Sequence, residues 1–296
     1  MKVLLIVNSV AGKKASHTAL FDIVDTFCKK GYDVCVKTTQ YRNHARELAA
    51  KAYENGFDFV VCCGGDGTVN EVLNGLLDNQ DITPIPIGYI PCGSTNDFAD
   101  TLGISSDIGE STLAITHENE VCIDSGRFNN DVCFSYIASF GAFTATSYDT
   151  PQDIKNSLGH FAYLLQGIKD LSLVKPIHAS VECNGETITD DFIFASVSNT
   201  RSVAGIVKLS EDIVDLQDGE FEVILVKNPT DLVQLNEILI GATTSDFSSN
   251  MFEFFKTKEI NFKFDEEIDW SLDGEKVKSP KEVIIKNLKG AVRLYK

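Results

Sequence analysis

Apolar residues divide the chain into two parts with different periods. In the first part, short apolar runs alternate with helical stripes. Residues 3–7 are all apolar and are read as a first strand, stopped by Asn8-Ser9-Val10-Ala11-Gly12-Lys13-Lys14. Leu20, Ile23, Val24 and Phe27 recur at helical spacing and end near Gly31. Residues 32–37 alternate like a second strand, and a helix is predicted over 44–54, with Ala45, Leu48, Ala49 and Ala52 on one face. Residues 57–63 are mostly apolar, broken by Gly64, Gly65 and Gly67; Val69, Val72, Leu73, Leu76 and Leu77 then restore the helical period. Residues 86–90 form another apolar run, leading into Pro91-Cys92-Gly93-Ser94-Thr95-Asn96-Asp97-Phe98-Ala99. Strands and helices alternating at this spacing predict a parallel α/β sheet.

The later part has a period of two. Val181 to Ile188 has Asn184-Gly185 at its centre, the signature of a type I′ hairpin. Residues 193–197, 221–226 and 260–264 read as further strands, and residues 283–285 and 291–294 as two closing ones. This predicts an all-β second domain. Two helices interrupt it. Leu158, Phe161, Ala162, Leu165 and Ile168 form one stripe, either packed on the second domain or serving as a lid. Leu232, Leu235, Ile238 and Leu239 form the other, after Asn228-Pro229. Residues 248–255 read as either a mobile loop or a packed connector.

The chain has 296 residues, enough for one large domain or two medium ones, and its 43% apolar content supports a full core. A formal net charge of -17 argues against a nucleic-acid surface and against broad attraction to anionic membranes. The eight cysteines show no C-x-x-C pair and read as free thiols in a reducing cytosol. The first apolar run is short for a signal peptide, and no run approaches the ~18 apolar residues of a membrane span. The expectation is a soluble cytoplasmic protein.

The glycine turns carry the chemistry. A strand, a glycine turn and a helix start expose backbone N–H groups to an anion. A carboxylate such as Asp66 repels phosphates unless a cation lies between them, which suggests Mg²⁺. The second turn repeats this logic with Asp97, and both fall where open α/β sheets bind ligands, beyond the carboxyl ends of strands. Asn8 to Lys14 lacks P-loop spacing. In the later part, Asp212, Asp215 and Asp218 make an acidic turn that suits either solvent or Mg²⁺, and Asp273-Gly274-Glu275 reads as a hairpin turn with two carboxylates.

Gly64-Gly65-Asp66-Gly67-Thr68-Val69-Asn70-Glu71 followed by Gly93-Ser94-Thr95-Asn96-Asp97-Phe98-Ala99 resembles the diacylglycerol kinase catalytic domain family, in particular its bacterial soluble lipid kinases. Asp124-Ser125-Gly126-Arg127, residues 156–167, Asp215 to Glu220 and Asp273-Gly274-Glu275 extend the likeness over almost the whole chain. The chain departs from the family in having Asn8-Ser9 where Asn-Pro is usual. The resemblance implies α/β plus all-β architecture. An open α/β nucleotide-binding domain, similar to NAD kinases and phosphofructokinases, would occupy 1–126. A β-sandwich lipid domain would occupy 127–280, and strands returning towards the first domain 281–296. It implies ATP bound in a cleft and Mg²⁺-dependent transfer of the γ-phosphate to a hydroxyl of diacylglycerol or a related lipid. Nucleotide contacts carried over are Asn8, Ser9, Ala11, Gly12, Thr39, Gly65, Asp66, Gly67, Thr68, Val69, Asn70, Glu71 and Ser94. Asp66, Asp97 and Asp124 would form an Asp–water–Mg²⁺ network, and Asp215, Asp218 and Glu220 a structural Mg²⁺ site. Glu275 is the expected base, with Asp273 its rival in the same turn. The implied partner is a lipid at a membrane surface, met by transient peripheral contact. A homodimer is left open, and neither nucleic acid nor a transmembrane segment is expected. Two other readings stand beside this one: an NAD-kinase-like phosphotransferase acting on a soluble dinucleotide, and a lipid-binding module without chemistry.

Overall fold

The computed structural model describes residues 1–9, 15–78, 84–94, 96–141, 175–200, 202–203, 207–209 and 213–296. Ala11, Gly12, Thr95, Asp212 and the helix expected around 158–171 lie outside the described residues. The chain divides into two compact units, Met1–Ser125 with Lys289–Lys296, and Gly126–Leu288.

In the first unit, β1 (Lys2–Val7), β2 (Asp33–Thr38), β3 (Phe59–Gly64) and β4 (Ile87–Pro91) are parallel in the order β2-β1-β3-β4. The end of β17 (Glu282–Tyr295) adds a further parallel neighbour, Leu294 lying opposite Ile87. The helices are α1 (Ala15–Lys29), α2 (His44–Ala50), α3 (Asp66–Leu77), α4 (Asp97–Leu102) and α5 (Ile108–Ile115). Val3, Leu5, Val7, Phe59, Val61 and Cys63 turn one sheet face towards Ile23 and Phe27 of α1 and Ile115 of α5. The runs are apolar throughout because strands covered on both faces bury every side chain; all six residues of β3 are buried. Helix α2 is shorter than the predicted 44–54, since residues 51–56 leave the helix as turns and return to β3.

The second unit is largely β. Strands β5 (Glu120–Phe128) and β6 (Val132–Phe134) pair antiparallel, as do the two-residue strands β10 (Ser202–Val203) and β11 (Val207–Lys208). Strands β7 (Ile137–Gly141), β8 (Ile177–Cys183), β9 (Glu186–Ser198), β12 (Phe221–Lys227), β13 (Phe252–Thr257) and β14 (Glu259–Phe264) pair antiparallel in the sequence β14-β8-β9, with β7 and β12 also on β9 and β13 on β12. Strands β15 (Asp269–Leu272) and β16 (Glu275–Lys278) form a hairpin whose first strand pairs with β7. Both hairpin turns place two successive residues at positive φ: Asn184 (49°) with Gly185 (82°), and Asp273 (48°) with Gly274 (86°). That is the backbone a type I′ turn requires. Trp270, fully buried, packs edge-on against Phe128, Phe140, Phe262 and Phe264 with centroids 4.9 to 6.3 Å away. Helix α6 (Leu232–Thr244) starts as its sequence suggests, with the Asp231 carboxylate accepting from Val233 and Gln234 N–H.

Two expectations change. Residues 252–255 belong to β13 rather than to either a mobile loop or a packed connector, because their backbone pairs with β12 from Val226 to Val223. The two closing strands are one, β17, whose polar middle stays extended: Asn287 N–H, for example, donates to the Lys258 carbonyl at 2.8 Å.

Helix α3 meets α2 at Gly75. A Cβ there would lie 2.3 Å from the Arg46 carbonyl oxygen and 3.0 Å from the Ala49 Cβ. Gly75→Ala is therefore expected to cost about 1–3 kcal/mol through overpacking, measured by urea denaturation.

Candidate active site

All four loops that carry the expected nucleotide contacts leave the carboxyl ends of parallel strands in the first unit. Asn8-Ser9 follows β1, Thr39 follows β2, Gly65 follows β3, and Gly93-Ser94 follows β4. The order β2-β1-β3-β4 reverses between β1 and β3, where open α/β sheets leave a crevice. Asn8 bridges that reversal. Its N–H donates to the Cys63 carbonyl at 2.9 Å, and its Nδ2 donates to Thr68 Oγ1 at 3.0 Å. Thr39 N–H is held by the Val7 carbonyl at 2.9 Å.

The two glycine turns touch through their backbones. A Cβ on Gly93 would stand 2.6 Å from the Gly65 Cα, and one on Gly65 would stand 3.0 Å from the Gly93 Cα. Cys92 N–H donates to the Gly64 carbonyl at 2.7 Å. Asn96, at a φ of 57°, clamps the second turn: its Oδ1 accepts from Gly93 N–H at 2.8 Å and its Nδ2 donates to the Gly93 carbonyl at 3.1 Å. Asn96 received no role from the sequence, although an Asn after a glycine turn, free to adopt positive φ, is a usable signal.

The motif carboxylates are engaged by backbone. Asp66 accepts from Asp97 N–H at 3.2 Å and Phe98 N–H at 3.1 Å, so it caps α4 from the neighbouring turn. Burial raises its carboxyl above the usual range, and the N–H groups of Phe98, Asp97 and Asn96 pull it back. Glu71 accepts from Asn43 N–H at 2.8 Å and Ala45 N–H at 3.1 Å, and so caps α2. Neither helix has a side-chain cap from its own N-cap residue. One helical turn below Glu71 lies Gly75, and Asp78 then holds Arg46 of α2 through two bonds of 2.6 and 2.9 Å. Asp124, 1% exposed, accepts from Gly290 N–H at 2.7 Å.

The side chains that remain open at these turns are few. Thr68 and Val69 are buried, and Asn70 shares its Oδ1 with Asn74. Gly67, Ser94 and Asp97 are exposed, and the N-cap of α3 is Gly65, which has no side chain to cap the helix. A phosphate at this edge would therefore meet backbone N–H groups and small side chains. Beneath the turns lie three buried cysteines, Cys62, Cys63 and Cys92; all eight cysteines are free thiols, with Cys28 and Cys122 exposed.

Among the described residues no three His, Cys, Asp or Glu side chains gather as a direct metal site. Asp66 and Asp97 adjoin at the turn, and with Asp66 already accepting N–H bonds the set suits a hydrated Mg²⁺ reached through water, a cation that dehydrates reluctantly.

In the second unit the two carboxylates of the β15–β16 turn separate sharply. Asp273, 7% exposed, accepts from Ser135, Tyr136 and Ile137 N–H at 2.5, 3.0 and 3.0 Å. Glu275 is exposed at the start of β16. A carboxylate holding three backbone donors is a strut that ties the turn to residues 135–137. The acidic turn also differs from a metal cage. Asp215 Oδ1 accepts from Gln217 N–H at 3.0 Å, Asp218 Oδ1 accepts from Glu220 N–H at 2.8 Å, and Asp218 Oδ2 meets the Lys256 ammonium at 3.0 Å. With Asp215 and Asp218 each giving one oxygen to a backbone N–H and an ammonium standing at Asp218 Oδ2, these two carboxylates as folded do not fit a structural metal. Lys256 also reaches Glu222 Oε1 at 3.1 Å. Burial pushes the Glu222 carboxyl up to about 7, opposed by Lys256. The sequence reading assigned neither Lys256 nor Glu222; their pairing depends on strand register.

A parallel sheet with paired glycine turns at its carboxyl edge is a phosphate-binding α/β arrangement. Comparison with known proteins narrows the class. The family model for the diacylglycerol kinase catalytic domain matches residues 2–128. The chain is 31% identical over 275 residues to the diacylglycerol kinase of Bacillus subtilis (strain 168), covering 92% of this chain and 88% of that one. It is 30% identical over 272 residues to the diacylglycerol kinase of Staphylococcus haemolyticus (strain JCSC1435), covering 92% and 81%. A crystal structure of a diacylglycerol kinase from Bacillus anthracis str. Sterne superposes with a TM-score of 0.75 at 25% identity, covering 99% of this chain and 96% of that one. The chain belongs to the diacylglycerol kinase family, a family of ATP-dependent lipid kinases.

Two outcomes check these assignments. Glu71→Ala should speed hydrogen exchange at the Asn43 and Ala45 amides and lower stability by about 1 kcal/mol, as loss of a helix cap does. Asp273→Ala should cost at least about 3 kcal/mol by stranding buried N–H groups, and Glu275→Ala no more than about 0.5 kcal/mol. Equal costs in urea denaturation would remove the division of roles between the two carboxylates.

Proposed function

We propose that this chain transfers the γ-phosphate of ATP to the hydroxyl of diacylglycerol or a related neutral lipid. The observation that carries the reading is the joined pair of glycine turns, Gly64 to Gly67 and Gly93 to Ser94, whose backbones touch at the carboxyl edge of β3 and β4. Such an edge offers N–H groups to phosphates, and phosphoryl transfer demands positioning and charge stabilisation above all. In this reading residues 1–126 form the nucleotide domain, of NAD kinase or phosphofructokinase type. Residues 127–280 form a β-sandwich that takes the lipid, and 281–296 return to the first domain.

Asn8, Ser9 and Thr39 line the nucleotide on the β1 and β2 side, and Gly65 to Glu71 with Ser94 on the β3 and β4 side; Ala11 and Gly12, outside the described residues, are further nucleotide contacts of the same reading. Several act through structure: Asn8 and Thr68 fix the crevice, while Glu71 holds α2 and the segment after Thr39. Val69, being buried, contributes backbone only. Asp66, Asp97 and Asp124 would hold a Mg²⁺ that accompanies ATP through water, since Asp66 and Asp124 already accept backbone N–H groups, and the ion would supply charge neutralisation on the phosphates. Glu275 accepts the proton of the lipid hydroxyl; its exposure and short side chain tether at the turn suit that task, whereas Asp273 orders the turn. The absence of any membrane-length apolar helix among the described residues is compatible with peripheral contact at a lipid surface.

The test is a lipid panel in mixed micelles with labelled ATP and MgCl₂, products being resolved by mass spectrometry. One phosphorylated neutral lipid is expected, with loss of at least about 100-fold in kcat for Glu275→Ala, the scale of a lost general base. Full activity in both Asp66→Ala and Glu275→Ala would sink the residue assignments. Phosphorylation of a soluble dinucleotide, with none of lipid, would favour the NAD-kinase-like reading, and nucleotide binding without turnover would favour a binding module.

A further inference from the structure

The second unit contains a buried charge that neither nucleotide nor lipid chemistry requires. Strands β12 and β13 pair so that Glu222 stands directly opposite Lys256. Glu222 is fully buried, and neither carboxylate oxygen finds a hydrogen-bond donor of good geometry among the described residues. Its counter-charge is the Lys256 ammonium, 3.1 Å from Oε1. The same ammonium lies 3.0 Å from Asp218 Oδ2. Lys256 is itself placed by its neighbours: the Asn184 side chain at the β8–β9 turn donates to its carbonyl at 2.9 Å, and the Thr257 hydroxyl donates to Asn184 Oδ1 at 3.2 Å. Two carboxylates on one side of a strand pair repel unless a cation sits between them. A divalent metal is one solution, and an ammonium is another that arrives with the chain.

We infer that the Lys256 ammonium is the resident cation of the acidic turn. It bridges Asp218 and Glu222, fixes the turn at 215–220 against β13, and makes the second unit independent of a divalent metal at this place. The geometry explains each part. Lys256 supplies one of the two charges that the turn needs, and Asp218 lends its other oxygen to the Glu220 N–H at 2.8 Å. A compact ammonium on a flexible stem can reach two acceptors on different elements, which suits it to a bridging task. Removing it leaves an uncompensated buried carboxylate, whereas removing both charges together does not. The inference is independent of the kinase reading, since it concerns folding and metal content.

The experiment uses the full chain, freed of metal with EDTA and then returned to millimolar MgCl₂ without nucleotide. Thermal unfolding and metal content per chain are read for the native protein, Lys256→Met, Asp218→Asn and the double variant Lys256→Met with Glu222→Gln. The native protein should hold no stoichiometric metal that depends on Asp218, and its Tm should be the same with EDTA and with MgCl₂. Lys256→Met should lower Tm on the order of 10 °C. The double variant should recover at least half of that loss, and its recovery decides the matter even where Lys256→Met fails to fold. One metal per chain in the native protein, abolished by Asp218→Asn, would overturn the inference. So would a Lys256→Met protein that melts with the native one, or a double variant no more stable than the single.

Discussion

Acceptance of backbone N–H groups by carboxylates from distant parts of the chain is the interaction on which both units depend. A helix start or a tight turn leaves donors with no partner inside the element, and leaving them unmet away from water costs as much as a lost hydrogen bond. Here the donors of α4 are met by Asp66, those of α2 by Glu71, that of Gly290 by Asp124, and those of residues 135–137 by Asp273. Each bond joins segments far apart in sequence. An acidic residue in a phosphate-binding turn, odd from charge alone, becomes intelligible as the piece that locks one turn onto the next.

That arrangement sets what the turns can do. With Asp66 spent on α4 and Glu71 on α2, the described surface at these turns consists of glycine backbone, small polar side chains and a helix start whose N-cap is glycine. Such a surface is pre-formed, because the Gly65–Gly93 contact leaves no room for the turns to close further. Preorganised donors need no rearrangement as charge develops on a phosphoryl group, and that is where electrostatic catalysis gains most. Membership of the diacylglycerol kinase family is consistent with a site built more from backbone than from reactive side chains.

In the second unit the same economy takes two forms. The aromatic cluster around Trp270 holds β15 against the core, and Asp273 ties the following turn to 135–137, so Glu275 projects from a fixed base. On β12 and β13 the compensating group is an ammonium instead of an N–H. Net charge is -17, and with cations scarce the placing of Lys256 between two carboxylates matters more than it would in a balanced chain.

Legible along the chain alone were the alternation of apolar runs and helical stripes, the type I′ turn at Asn184-Gly185, a hairpin turn at Asp273-Gly274, the glycine turns after β3 and β4, and the family. These are local: period, turn chemistry and motif are carried by neighbouring residues, and nothing distant alters them. Packing between distant segments then settled which of the motif's carboxylates are exposed and which face backbone. Asp66 reaches Phe98 only because β3 and β4 are adjacent, and Asp273 reaches Ser135 only because β15 pairs with β7. Lys256 meets Glu222 through a register between strands separated by a helix. Residues 252–255 look like a loop until β12 supplies their hydrogen bonds, and β17 looks like two strands because its middle is polar. In each case the deciding partner lies tens of residues away or more, and a pattern read along the chain holds no information about which distant backbone will be beside it.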